Sequence, residues 1–300
     1  MSTLFIIGNG FDIWNGLPTS YRNFNEKYKE HLEKHIHYFD DLCGIDSDWA
    51  NFDWANFEES LGSFNQDSFH DNAAMQLSLE ELGDEPKRLY GYEDEIAIKK
   101  EELVRDITSA FNGWIRSVNV YAAKKLMHFY FPAYFINFNY TTTLQDVYKV
   151  NDSDVLHIHG KIGKELIFGH GRETDLSESE DENNEPWFHE TKREVSQVLS
   201  VFHKPVNDIL ARNRTILEGY DNVENIVVIG HSINNIDIPY FQCILNAYPD
   251  ANWQNYNYEN IEEEIDEVSV THRKLLALGV PEQRLKSFSS EKLKELYPLP

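Results

Sequence analysis

The chain has 300 residues, 41% of them hydrophobic and 13% aromatic, enough for one large domain or two small ones with a real core. Its 27 Lys and Arg stand against 51 Asp and Glu, a formal charge of -24, which repels phosphate backbones and predicts no direct nucleic-acid partner. Only two cysteines, Cys43 and Cys243, exclude a disulfide framework and a four-cysteine zinc module. The short apolar run at the start soon meets Gly8 and Asp12 and carries no basic flank, so neither a signal peptide nor a membrane span is expected. The expectation is a soluble, cytoplasmic protein.

In chain order, TLFII (3–7) reads as a buried strand ending at glycine. A glycine turn and a short loop follow. From Thr19, Tyr21, Phe24, Tyr28, Leu32 and Ile36 recur at helical spacing, with Pro18 and Thr19 or Ser20 as a helix start. Residues 40–96 are acidic and aromatic, with Trp49, Phe52, Trp54, Phe57 and Phe64, and predict short helices and loops. Residues 97–130 predict a long helix or a pair. AYFINF (133–138), DVLHIHG (154–160) and ELIFGHG (165–171) read as strands, and the acidic run 172–186 as a mobile surface loop. Helix is expected over 188–219 with a break near Pro205. NIVVIGHS (225–232) is a second strand running into glycine. ANWQNY (251–256), a helix over 260–278 stopped by Gly279, a strand RLKSF (284–288) and a serine-capped helix complete the chain.

Strands alternating with helices predict an α/β fold, a mostly parallel Rossmann-like sheet flanked by helices. The expected organisation is one nucleotide-binding domain over 1–300 with a helical insertion at about 40–130. In such sheets ligands sit at the carboxyl ends of the strands, where the unusual polar residues gather: Gly8, Asn9, Gly10 and Asp12; Asn137, Asn139, Tyr140 and Thr141; His157, His159 and Lys161; Gly230, His231, Ser232, Asn234 and Asp237.

Each group has two readings. Gly8-Asn9-Gly10 either cradles a phosphate or lets the chain turn tightly, and Ile13 stands where a dinucleotide fingerprint would place its third glycine. The second glycine turn at Gly230 favours a nucleotide, which has two ends to hold. His157 and His159, two apart on a strand, would face one side. With His170 or His231 and Asp237 they could ligate a divalent ion. Alternatively one packs in the core and the other bonds near a strand end. Asn139 could cap the next helix or orient a water or a ribose hydroxyl.

Taken together, GNGFDIWNGLPTSYRNF (8–24), WANFEESL (54–61), NFNYTTTLQ (137–145), HIHGKI (157–162) and VVIGHSINNID (227–237) resemble the AbiH family, linked to bacterial abortive infection against phage. The same motifs resemble a remote sirtuin-like, NAD-binding fold. Gly8, Gly10, Pro18 and Arg22 take the places of its glycine-rich turn and following loop. Asn139 and the pair His159-Gly160 are similar to its strand-end residues, and Gly230 to Ser232 to its late Gly-x-Ser turn. Thr141 stands where such proteins often carry Asp, and the missing cysteine module argues against protein deacylation.

The resemblance implies an antiphage protein that cleaves NAD, as substrate, to nicotinamide and ADP-ribose, with no metal required. In that reading Asn139 orients the ribose hydroxyl or the attacking water, and His159 bonds the ribose or acts as general base. Gly8, Asn9 and Gly10 hold the pyrophosphate, Arg22 adds positive charge, and Ser232 and Asp237 hold the second nucleoside. Asp12 or Glu58 stabilises the oxocarbenium charge. Assembly into a homo-oligomer and a phage-derived trigger or defence partner protein are expected for such an enzyme. Two alternatives stay open: a nucleotide-binding sensor that does not cleave, and a metal-dependent hydrolase built on His157 and His159.

Overall fold

Six short apolar segments line up in one sheet. In the computed structural model, which describes residues 1–39, 56–70, 92–172, 186–257 and 267–300, they are β1 (Ser2–Ile7), β2 (Ala133–Asn137), β3 (Val155–His157), β4 (Val223–Ile229), β5 (Asn252–Asn257) and β6 (Leu285–Ser289). All pair in parallel in the order β3-β2-β1-β4-β5-β6. This is the Rossmann-like order, with its topological switch point between β1 and β4.

A parallel sheet covered on both faces needs strands that are apolar at every position. β1 and β4 meet that need. Leu4, Ile6, Ile226 and Val228 enter one cluster with Tyr240, Phe241 and Leu275. Phe5, Ile7, Val227 and Ile229 enter the other with Phe11, Met127, Phe129 and Leu144. The described α-helices of six residues or more are α1 (Asn9–Trp14), α2 (Tyr21–Ile36), α3 (Tyr92–Ser117), α4 (Pro186–Val201), α5 (Val206–Leu217), α6 (Ile238–Ala247) and α7 (Glu267–Ala277). None among the described residues is long and apolar enough to cross a membrane.

Several expectations need correction. Gly8 leads directly into α1, where a loop was expected. The helical reading of 97–130 holds only to Ser117. Beyond a 3-10 turn at Val120–Ala122 the chain forms neither helix nor strand until β2, and Met127 and Phe129 are buried as core of the sheet. An apolar run without clear period does not distinguish the two. β3 stops at His157, short of the predicted 160. Residues 165–171 form no strand, only an isolated bridge between His170 and His203. Ser289 precedes the last helical turns without a side-chain capping bond. Trp49, Phe52, Trp54, the acidic run at 173–185 and the start of the predicted helix at 260–266 lie outside the described residues.

The chain divides into two compact units. The first comprises Met1–Ser20, Ile115–Ile167 and Pro205–Pro300, and holds the whole sheet. The second comprises Tyr21–Trp114 and Phe168–Lys204. Its core is aromatic: Phe24 meets Phe57 edge-on at 4.8 Å, and Phe111 stacks on Phe168 at 4.1 Å. Glu58 ties it together. It accepts bonds from the Tyr21 hydroxyl and the Gly169 N–H and pairs at 2.5 Å with the buried Lys204 ammonium. Glu58→Gln would leave that ammonium without its counter-charge while keeping the shape. The expected result is a loss of about 2 kcal/mol, below the full value of a broken buried pair because Glu58 itself is partly exposed. Urea unfolding followed by tryptophan fluorescence measures it.

Candidate functional site

The two glycine turns meet at the switch point. Gly8 N–H donates to Ile229 O at 2.9 Å and Gly10 N–H to Gly230 O at 2.8 Å. A Cβ on Gly8 would lie 2.6 Å from Gly230 O and from His231 Cα. One on Gly230, where φ is +64°, would lie 2.2 Å from Phe11 N. Only glycine lets these backbones approach so closely. The Gly8 and Gly10 amides, assigned to a pyrophosphate in the sequence reading, are thus engaged by carbonyls of the fold. Asn9 Nδ2 donates to Thr19 O at 2.7 Å and pins the loop after α1.

Beside this turn lies a buried polar cluster. Asn137 Oδ1 accepts the Asn139 N–H at 3.0 Å, and Asn139 Nδ2 donates to Gly8 O at 3.1 Å. The link joins the ends of β1 and β2. Asp12 is fully buried; its Oδ2 accepts the Thr141 hydroxyl, and Thr143 bonds Thr141 in turn at 3.1 Å. Asp12 Oδ1 has no hydrogen-bond partner among the described residues. Burial pushes the Asp12 carboxyl up to about 6, against the opposing pull of Thr141, Thr143 and Asn139.

A carboxyl raised in the folded state binds its proton more tightly there than in the unfolded chain. Its contribution is therefore full below about pH 4, falls as pH rises, and is gone above about pH 6. The span is about 3 kcal/mol. Asp12→Asn is expected to remove this slope and to be about 3 kcal/mol more stable than the native protein at pH 7. Urea midpoints at pH 4.5 and 7 read it, and an unchanged slope refutes it. Asp106, which His35 and Lys34 hold at about 2 despite partial desolvation, acts only below that window.

The third group lies past β3 and β4. Asp237 sits between two imidazoles, with His159 Nε2 3.9 Å from Oδ1 and His231 Nε2 3.6 Å from Oδ2. His159 and His231 are buried, and the Phe138 ring stands edge-on to both at 5.5 and 4.5 Å. Ile233 N–H donates to His231 Nδ1 at 2.9 Å. Ile233 is itself β-branched, buried and at φ +52°, a conformation such a residue rarely adopts.

His157 does not share a side with His159, contrary to the expectation from a strand running to 160. Its Nδ1 donates to Asn139 O at 3.2 Å and its Nε2 accepts from Gln145 Nε2 at 2.9 Å. Burial lowers it to about 4, so it is neutral at pH 7. With both nitrogens used, it is a positioning histidine at a strand end. His170 lies in the second unit with Nε2 on Leu199 O at 3.0 Å. Of the residues offered as a metal set, His159, His231 and Asp237 stand together, while both nitrogens of His157 are taken by other bonds. Among the described residues only His35, Glu102 and Asp106, in the second unit, have ligand spacing. Lys34 already pairs with Glu102, and with Asp106 at 3.0 Å.

Arg22 belongs to the second unit, near the start of α2, with an exposed side chain 3.4 Å from Glu26. Ser232 is exposed; its hydroxyl bonds Asn234 Oδ1 at 3.0 Å and its carbonyl accepts Lys274 Nζ at 2.7 Å. The sequence reading underrated Thr141, Thr143 and His231. His231 was legible, since it stands six residues before an aspartate in the turn after a predicted strand. The left-handed backbone of Ile233 has no such signal.

A parallel sheet in this order, with buried amide, carboxyl and imidazole groups at the carboxyl ends of its strands, defines a Rossmann-like α/β protein. The chain belongs to the AbiH family, described as bacteriophage abortive infection AbiH, which it matches over residues 4–258. That membership indicates a role in abortive infection against phage. No curated protein and no solved structure matches it.

Proposed function

We propose that this AbiH-family protein is an NAD glycohydrolase with a sirtuin-like site at the carboxyl edge of its sheet. The supporting observation is the placement of Asn139 at the end of β2 and His159 just past β3, strands adjacent in the sheet. In NAD the nicotinamide is already a cationic leaving group, so cleavage needs no acid on that side, and the transition state is oxocarbenium-like. The bond from ribose C1′ to the pyridine nitrogen breaks and its electron pair stays on nicotinamide. A water oxygen bonds to C1′ and gives its proton to His159, leaving ADP-ribose. Asn139 orients the water or the ribose hydroxyl, and Asp12 supplies negative charge near the developing cation. Ser232 contributes to holding the second nucleoside.

Burial of the site favours a second reading. Asn139 is 6% and His159 3% exposed, so a ligand reaches them only after the edge opens. A sensor that binds a nucleotide and signals to a partner uses such opening as its output. In the enzyme reading, assembly into a homo-oligomer or a phage-derived trigger opens it. Incubating the full chain with NAD over a range of protein concentrations, with mass spectrometry of the products, separates the two. The expected result is nicotinamide and ADP-ribose in equal amounts. Retention of intact nucleotide with no release, at any protein concentration and with lysate of phage-infected cells added, overturns the enzyme reading in favour of the sensor.

A further inference from the structure

We infer that His159, Asp237 and His231 act as one proton-holding unit in which Asp237 is the positioning residue for His159, and not a holder of the second nucleoside. The inference rests on the proposed reaction only for its kinetic arm.

The chain of causes starts in the backbone. Ile233 is held at φ +52° in the interior, a strain of the kind that persists at functional sites. That conformation aims its N–H at His231 Nδ1. A nitrogen that accepts a hydrogen bond carries no proton, so neutral His231 bears its proton on Nε2. Nε2 is the nitrogen that faces Asp237 Oδ2 at 3.6 Å. The other carboxylate oxygen faces His159 Nε2 at 3.9 Å. Both separations exceed a hydrogen bond and lie within ion-pair reach, as in sites that tighten when a substrate binds.

The surroundings strengthen the coupling. Phe138, Tyr240 and Phe241 pack their rings around the two imidazoles. Apolar walls exclude water and raise the effect of a charge on its neighbours. A proton on His159 Nε2 is then held towards Asp237. When His159 takes a second proton, the resulting imidazolium lies beside a carboxylate. His231, on the far side, keeps that carboxylate oriented. Among the described residues, the titratable or charged groups near the trio include the Tyr240 hydroxyl, pushed up by burial and then by Asp237, Arg212 on α5, which acts on that hydroxyl, and Lys274 on α7, bonded to Ser232 O.

The test is ¹⁵N–¹H NMR titration of the histidines in the full chain, which needs no substrate. Wild type is expected to show His231 as the Nε2–H tautomer at pH 7.5. Asp237→Asn is expected to lower the titration midpoints of both His159 and His231 by about one unit, roughly a tenfold loss of proton affinity. If either midpoint stays put, or His231 carries its proton on Nδ1, the unit does not exist. Should Asp237→Asn not fold, His231→Gln serves instead. It is expected to raise the His159 midpoint, because Asp237 then serves one imidazole, and no change there overturns the inference. In the kinetic arm, Asp237→Asn should lower kcat at least tenfold with KM within twofold, whereas a rise in KM alone returns Asp237 to nucleoside binding. If wild type releases no nicotinamide, the proposed reaction fails while the NMR arm still decides the trio.

Discussion

Replacing His159 with alanine is expected to lower nicotinamide release by roughly 10²- to 10⁴-fold, the range for removal of a positioned general base. Asn139→Ala is expected to cost a comparable factor, because it removes the group that orients water or ribose. The two replacements act on the fold differently. Asn139 also carries the bond to Gly8 O, so its loss frees a link between β1 and β2 and should cost about 1 kcal/mol of stability. His159 packs against the Phe138 and Tyr240 rings, so His159→Gln is the better-filled companion to the alanine. Turnover that survives both replacements, in protein whose melting curve is intact, would falsify the assignment. Loss of turnover with bound nucleotide retained would separate chemistry from binding.

Gly230→Ala is expected to have a large effect on stability at the junction of β1 and β4. The added Cβ would lie 2.2 Å from Phe11 N and 2.5 Å from Gly10 C, all backbone that cannot swing aside, and φ is +64°. The turn has to move, and with it the contact between the ends of β1 and β4. A loss of more than about 4 kcal/mol is expected, enough to unfold a protein of ordinary stability. Gly163→Ala is the control. It has φ +84° but nothing within 4 Å, so only the conformational penalty of about 1–2 kcal/mol applies. If the two variants melt alike, close packing is not what Gly230 provides.

Those two glycines show how far the sequence carries the argument. The turns after β1 and β4 were legible, because apolar runs that end in glycine are a local signal. Their mutual contact was not, because it depends on which strands are neighbours. The same holds for Asn139. Its place at a strand end was readable, while its bond to Gly8 O is a product of topology. His157 and His159 failed for a different reason. Alternation extended the strand to 160, but β3 has a neighbour only over Val155–His157, and past the last pairing the rule of alternate faces lapses. The stretch 118–130 was misread since Met127 and Phe129 supply core to the sheet from chain outside any helix or strand, and apolarity alone carries no period.

The strand order has a further consequence, for synthesis. β1 is made first and sits in the middle of the sheet, yet Leu4 lies opposite Tyr134 on one side and Ile226 on the other. Such distant partners make folding slow, because the loops must close before any pairing rewards them. On the ribosome the first strand can gain β2 once Ala133–Asn137 has emerged, but its other edge waits until Val223–Ile229 has. The switch point between β1 and β4 therefore comes into being only late in translation.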